Sequence, residues 1–329
     1  MGDFRVAYSL DDVKRLAPRA SALTLGVFDG VHRGHRSIIE ELIRTGKNPG
    51  IESTFLITFS PHPVVVTRSR KAPRILTTID ERLDLFERFP LDGVFVVRFD
   101  EKMRNTDYRD FIRDYLLDAF DMRTLVLGYD CHFGRNREGG PESVQAEGRR
   151  HGFEVKVVPP LQINGQVVSS TFIRSTLIGG DLSLANEFLG HPFSVAGVVE
   201  RGAGKGGQIG FPTANLRIDH PRKLWPQGGA YATRVKIDGQ VHNGMMNVGT
   251  APTLKGEKPT IEVHVFDFDA DIYGKKIIAY CHARLRDEVA FSSPRELVEQ
   301  LGRDRLAAME ILSRSEESAR GEKGTASGT

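Results

Sequence analysis

Apolar residues in the first half of the chain come in short continuous runs, and the stretches between them place apolar positions at helical spacing. ALTLGV at 22–27, STFLIT at 53–58, GVFVVRF at 93–99 and TLVLG at 124–128 read as strands buried on both faces. The stretches 37–44, 81–89 and 108–120 read as amphipathic helices. Thr78 and Glu81 have the spacing of a capping box opening the second of them. Strands that alternate with helices predict a parallel sheet with helices on both faces. Ligands of such sheets bind at the carboxyl ends of the strands.

The pattern changes near residue 184. FSVAGVVERG at 193–202, AYATRVKIDGQVHN at 230–243, TIEVHVFDF at 260–268 and KKIIAYCHARLR at 275–286 alternate with period two. Asp238-Gly239 is a hairpin-turn signal. Many short strands joined by Gly and Asp turns predict a small antiparallel β-barrel. A closing helix follows, with Ser293 as N-cap, Pro294 at its first position and Glu296 at its third. From Ser315 the chain has almost no apolar content and is expected to lack fixed structure. The expected organisation is therefore α/β, with domains at 1–185 and 186–314 and a tail at 315–329.

Composition adds little drive toward polymers. The 329 residues include 45 Lys and Arg against 43 Asp and Glu, so no overall charge favours nucleic acid or an anionic membrane. Two cysteines, Cys131 and Cys281, make neither a disulfide framework nor a zinc spacing, which points to a reducing cytoplasm. No signal-peptide pattern opens the sequence and no apolar stretch approaches membrane-spanning length.

Candidate chemistry begins where the first long strand ends. In GVFDGVHRGHR, residues 26–36, His32 and His35 fall three apart in what should be the first turn of a helix. That spacing turns both imidazoles to one side. Gly34 between them lets a ligand approach the backbone. The helix N-terminus adds free N–H groups and partial positive charge, which suits a phosphate. Further on, SSTFIR at 169–174 puts two hydroxyls at a helix start and Arg174 on the same face as Thr171, a second phosphate-binding arrangement. The glycines at 202, 204, 206, 207 and 210 could wrap phosphates through backbone N–H groups, but no Gly-Lys-Ser/Thr ends the run, so it is not a Walker loop. In IEVHVFDF, Ile261, Val263 and Val265 share one strand face, and Glu262 and His264 share the other.

Taken together these strings resemble the bacterial bifunctional riboflavin kinase/FAD synthetases over nearly the whole chain except the tail. FDGVHRGH carries the His-x-Gly-His signature of nucleotidyltransferases in the form of the FAD synthetase module. TFSPHP at 58–63 is similar to its second motif, with Ser60 where Asp is usual. GYDCHFGRNREG at 128–139 is similar to its next loop, with Cys131 in place of Phe, and SSTFIR is similar to its Ser-Ser-Thr-x-x-Arg motif. GFPTAN at 210–215 resembles the riboflavin kinase motif, and EVHVFDF, NGMMNVGTAP and RDEVAFSS follow in the order expected. Gly207 and Ala251 stand where relatives have Arg.

The resemblance implies that the N-terminal module, a nucleotidyltransferase-type Rossmann-like sheet, transfers AMP from ATP to FMN, giving FAD and pyrophosphate, and that the C-terminal module, a small antiparallel β-barrel with a terminal helix, phosphorylates riboflavin to FMN with release of ADP. For the first module it implies that Gly26, Phe28, Asp29, Gly30, His32, Gly34 and His35 hold ATP, joined by Ser170, Thr171 and Arg174. Pro61, His62, Pro63, Asp130 and Phe133 would hold FMN. For the kinase it implies ATP contacts from Gly204, Lys205, Gly210, Pro212, Thr213 and Asn215, with Thr213 and Asn215 also holding Mg²⁺. Asn247, Glu262 and Arg286 would hold the flavin, and Glu262 would act as general base. Catalysis would rest on His32, His35 and Glu262. The expected partners are the small molecules alone, without nucleic acid or membrane, in a monomer or weak homo-oligomer. The other readings are a chain with one active module, an adenylyltransferase for another phosphate, which the PTAN string opposes, and a non-catalytic flavin- or nucleotide-binding regulator.

Overall fold

The computed structural model describes residues 4–66, 73–201, 209–218, 220–253 and 256–325. The chain divides into two compact units, 1–170 and 171–329.

The first unit is a six-stranded sheet in the order β1-β4-β3-β2-β5-β6. The strands are β1 (Arg5–Ala7), β2 (Ser21–Leu25), β3 (Ser53–Ser60), β4 (Gly93–Arg98), β5 (Met122–Gly128) and β6 (Glu154–Val158), and every neighbouring pair is parallel. Alternate residues of the central strands feed two cores. Leu23, Leu25, Phe55, Ile57, Phe95 and Leu125 pack with Phe111 and Phe120 on one face. Ala22, Leu56, Val94, Val96 and Val126 pack with Ile39, Leu42 and Phe86 on the other. This double burial is why the four inner strands read as unbroken apolar runs. The two edge strands carry no such run: β1 is three residues long and β6 is half-exposed.

The helices follow the expected stretches with shifted ends. α2 covers Arg33–Thr45 and α4 covers Ile79–Phe86, the latter opened by the Thr78/Glu81 capping box. The stretch at 108–120 is α-helical over Tyr108–Phe111, widens to a π-helix over Ile112–Leu117 and returns to α over Asp118–Phe120.

The second unit is a closed six-stranded barrel in the order β10-β13-β12-β11-β14-β9. Its strands are β9 (Phe193–Glu200), β10 (Ala214–Arg217), β11 (Gly229–Ile237), β12 (Gln240–Thr253), β13 (Gly256–Val265) and β14 (Lys276–Arg286), all paired antiparallel. The β11–β12 turn has Asp238 at φ 47° and Gly239 at φ 83°, the two positive φ values that a tight hairpin needs. Helices α9 (Ser170–Ile178) and α10 (Leu182–Leu189) precede the barrel. Asn186 fastens α10 to it: the amide donates to Cys281 O at 2.9 Å and its oxygen accepts from Phe193 N–H at 2.7 Å.

The C-terminal helix, Pro294–Thr325, is capped by Ser293, whose hydroxyl accepts from Glu296 N–H at 3.3 Å. It lays Ala308 and Leu312 on Ala232, Met245 and Phe266 of the barrel wall. It continues past Ser315 although apolar positions stop there. Ser, Glu, Ala, Arg and Lys are compatible with helix once an anchored segment has supplied the nucleus. Among its bonds to the barrel is the pair Arg286–Asp304, with nitrogen–oxygen distances of 2.8 and 2.9 Å. Asp304 is 4% exposed.

Removing one partner of such a pair leaves the other charge desolvated. Asp304→Ala is expected to destabilise the second unit by about 3 kcal/mol, read as an earlier urea midpoint in the fluorescence of Trp225, the chain's single tryptophan.

Candidate active sites

The first site forms where β2 and β3 end. Gly26 N–H still bonds Ile57 O at 3.0 Å, and then the backbone turns sharply, with Phe28 at φ 52°, Gly30 at 87° and Val31 at 40°. Positive φ at a β-branched residue costs energy, so this loop needs support from its surroundings. The carboxylate of Asp29 supplies it. Asp29 is buried and accepts from Leu76 N–H and Thr77 N–H, each at 2.9 Å, and from the Thr77 hydroxyl at 3.2 Å. Thr77 Oγ1 in turn accepts from Gly30 N–H at 2.8 Å, and Ser170 Oγ donates to Asp29 O at 2.9 Å. The Phe28 ring packs edge-on against Phe86 and His35. Asp29 thus meets its own chain through its carboxylate and shapes the loop.

His32 does not sit inside the first turn of α2 but caps it: its Nδ1 accepts from His35 N–H at 3.2 Å. An acceptor at Nδ1 makes the imidazole neutral with its proton on Nε2. The two rings stack at 3.6 Å between centroids and 13° between planes, and the expected pairing on one side holds. His35 Nδ1 is buried with no hydrogen-bond partner. Burial first, then His32 and Arg82, hold the His35 imidazole well below its ordinary pKa of 6.5. The site therefore offers neutral N–H dipoles to a phosphate. Gly34 leaves a tight space, since a Cβ there would lie 3.3 Å from the His32 ring and 3.4 Å from Val168 O.

His35 opens onto a cavity of about 600 Å³, within the size range of small-molecule sites. Gly26, Phe28, His62, Pro63, Asp130 and Phe133 also line it. Pro61 follows a cis Ser60–Pro61 bond immediately before His62. Cys131 lines the cavity too. Its thiol donates to Leu25 O at 3.6 Å and is pushed up to about 12, chiefly by burial, so it is a neutral wall and not a thiolate. The sequence reading missed the aromatic walls Phe59, Phe99 and Phe111 and the cationic Arg104, Arg135 and Arg137. Phe59, Arg135 and Arg137 lie inside motif strings already noted, TFSPHP and GYDCHFGRNREG, whereas Phe99, Arg104 and Phe111 come from separate elements with no such motif. Thr171 and Arg174 lie on α9, in the second unit.

The second site is a cross-strand cluster on the barrel. Glu262 on β13 pairs with Asn215 on β10 and with Asn247 on β12, so the three share one sheet face. Thr213 Oγ1 donates to Glu262 Oε2 at 3.2 Å. Pro212 O accepts from His264 Nδ1 at 2.8 Å, which fixes the turn that carries Thr213. His264 lies under Phe211 and Phe266, and burial lowers its pKa. Gly210 adopts φ 82° with open space around its Cα. Gly204 and Lys205 lie outside the described residues. Arg286 is set apart by β11, since Ala230 pairs with Asn247 on one side and Arg286 on the other. Its guanidinium is held by Asp304 and packs on Phe291 at 5.6 Å. Thr213, Asn215 and Glu262 form an all-oxygen donor set, the kind that a hard cation accepts.

A parallel α/β sheet with a phosphate-suited histidine pair, followed by a barrel with an oxygen-rich carboxylate cluster, defines a two-module nucleotide-dependent transferase. The FAD synthetase family matches residues 14–172 and the riboflavin kinase family matches residues 189–312. The bifunctional riboflavin kinase/FMN adenylyltransferase of Escherichia coli K12 is 36% identical over 291 residues, 88% of this chain and 92% of that one. That of Bacillus subtilis is 32% identical over 299 residues, 89% and 93% of the two chains. The chain belongs to the bifunctional riboflavin kinase/FMN adenylyltransferase family. A crystal structure named as a macrolide-efflux protein of Streptococcus pneumoniae has the same fold, with a TM-score of 0.78 at 28% identity over 93% of this chain and 98% of that one. Among the described residues here, no helix is long and apolar enough to cross a membrane.

The depressed His35 basicity has a consequence for stability. Below pH 6.5 the unfolded chain takes up a proton at this position that the folded chain refuses, so stability falls as pH falls. Urea unfolding of the first unit, followed by far-UV circular dichroism, is expected to show a lower midpoint at pH 5.5 than at pH 7.5, and His35→Gln should reduce that difference.

Proposed function

We propose that the protein's two activities, phosphorylation of riboflavin to FMN and adenylylation of FMN to FAD with ATP as co-substrate in both, divide between the two sites, the first step running on the barrel cluster and the second on the histidine loop. In the second, an FMN phosphate oxygen attacks the α-phosphorus of ATP, the bond to the β-phosphate breaks and pyrophosphate leaves. His32 Nε2–H and the imidazole of His35 face the phosphates and stabilise the charge that gathers on them. The observation that carries this reading is the stacked pair, with His35 opening onto the cavity. Gly26, Phe28, Gly30 and Gly34 give the nucleotide close backbone approach, with Asp29 shaping the loop. Ser170, whose hydroxyl proton goes to Asp29 O, would add its backbone N–H. His62, Pro63, Asp130 and Phe133 border the flavin, with Pro61 setting their approach.

In the barrel, the ribityl 5′-hydroxyl attacks the γ-phosphorus, Glu262 takes its proton and ADP leaves. Thr213 and Asn215 would hold Mg²⁺, which when bound neutralises phosphate charge. Asn247 stands beside Glu262 on the flavin side. Arg286 serves from behind, in its pair with Asp304. Gly204, Lys205, Gly210 and Pro212 would border the nucleotide. The near balance of charge favours small-molecule partners over nucleic acid, in a monomer or weak homo-oligomer. The two free thiols suit a reducing cytoplasm.

His35→Ala is expected to lower FAD formation from FMN by ~10²–10³, with riboflavin phosphorylation retained. Glu262→Ala should do the reverse. Both are read by chromatographic separation of flavins after incubation with ATP and Mg²⁺. Equal loss of both activities in either variant would refute the division of labour.

A further inference from the structure

Behind the histidine loop lies a charged side chain to which no motif points. Arg82, on α4, is 2% exposed. Its Nη1 donates to Val27 O at 2.5 Å and to Thr58 Oγ1 at 2.7 Å, and its Nη2 donates to Phe59 O at 3.0 Å. Thr58 Oγ1 itself donates to Val27 O at 3.1 Å. One guanidinium therefore spans the ends of β2 and β3 just where each leaves the sheet. Past Val27 the chain carries Phe28, His32 and His35, and past Phe59 it carries His62 and Pro63. The residues Val27, Phe28, His35, Phe59, His62 and Pro63 all line the cavity.

The placement is energetically demanding. Burial is the largest influence on Arg82 and brings its pKa down to about 10, while the carboxylates of Asp29 and Glu81 act in the opposite direction. It remains a cation at neutral pH. A planar fork with several donors in fixed directions suits two carbonyls and a hydroxyl on neighbouring strands, and an ammonium point charge does not. Asp29, bound to Leu76 and Thr77, braces the same loop from the segment just before α4.

We propose that Arg82 is a positioning residue for adenylyl transfer, setting the spacing between the loop that carries the histidine pair and the strand end that carries His62 and Pro63. Transfer needs the flavin phosphate and the α-phosphorus of ATP in line, whereas binding of either substrate alone tolerates a small shift of one strand end. A misplacement on the scale of 1 Å can cost about 10²-fold in rate. The proposal rests on the assignment of FAD formation to this cavity.

The test measures FAD formation from FMN, with riboflavin phosphorylation in the same preparations as internal control. Arg82→Gln is expected to lower kcat by ~10–100-fold, expressed per folded molecule by far-UV circular dichroism, with KM for FMN and ATP changed by less than about threefold. Arg82→Lys should recover part of kcat. Thr58→Val, which removes only the shared hydroxyl, should lower kcat by about three- to tenfold, and its effect should shrink in the Arg82→Lys background because both act through one contact. A purely structural role would lower the thermal midpoint and leave kcat per folded molecule intact, which would overturn the proposal. Independent multiplication of the two effects would also overturn it. Should Arg82→Gln fail to fold, Thr58→Val and its combination with Arg82→Lys still decide the matter. His35→Ala run alongside separates the two levels: retained activity there sinks the site assignment, and its loss with unaffected Arg82 variants sinks only the positioning role.

Discussion

The buried charge behind the first strand ends is the constraint on which the histidine loop depends. A loop with Phe28 and Val31 at positive φ has no intrinsic reason to keep its shape. It keeps it because Asp29 is bound by Leu76 and Thr77 from one side and Arg82 binds Val27 and its neighbour strand from the other. Both groups are out of water, where an unmade hydrogen bond is expensive, so the arrangement is all-or-none. The histidine pair inherits its order from that frame. His32 spends Nδ1 on the helix cap, and this leaves its other nitrogen as a donor of fixed direction.

The barrel solves a similar problem with neutral groups and strand register. Antiparallel pairing places Asn215, Glu262 and Asn247 in one row across three strands, and the Thr213 hydroxyl closes on the carboxylate. His264 holds the preceding turn through Pro212 O. One end of that face is sealed by the C-terminal helix, through Ala308 and Leu312 against Ala232, Met245 and Phe266. Arg286 belongs to the seal, bound to Asp304.

On the proposed assignment the two modules, which share a co-substrate, manage its charge with different groups. The first presents uncharged imidazoles and backbone at a helix start. The second presents oxygen atoms suited to a cation and a carboxylate suited to a proton. Because FMN is product of one and substrate of the other, a single chain carries riboflavin to FAD with ATP as the only co-substrate.

How much of this was legible follows from where the information resides. The four inner strands, the capping box of α4, the Asp238-Gly239 hairpin and the Ser293 cap are local patterns of apolar spacing and turn chemistry, and the chain shows them directly. The histidine pair, the PTAN string and Glu262 were likewise visible because each lies within a short contiguous string. The edge strands β1 and β6 were not, since a short or half-exposed strand needs no apolar run. The walls Phe59, Phe99 and Phe111 come together only when separate elements fold onto one sheet end. Arg82 looks like an ordinary charged residue on an amphipathic helix, and Asp29 like a ligand-facing carboxylate. Which way a buried charge points is a property of its surroundings, because the low-dielectric interior makes it seek partners that lie far away along the chain. The sequence by itself determined the class of fold and the two modules. Tertiary structure alone decided what holds them in place.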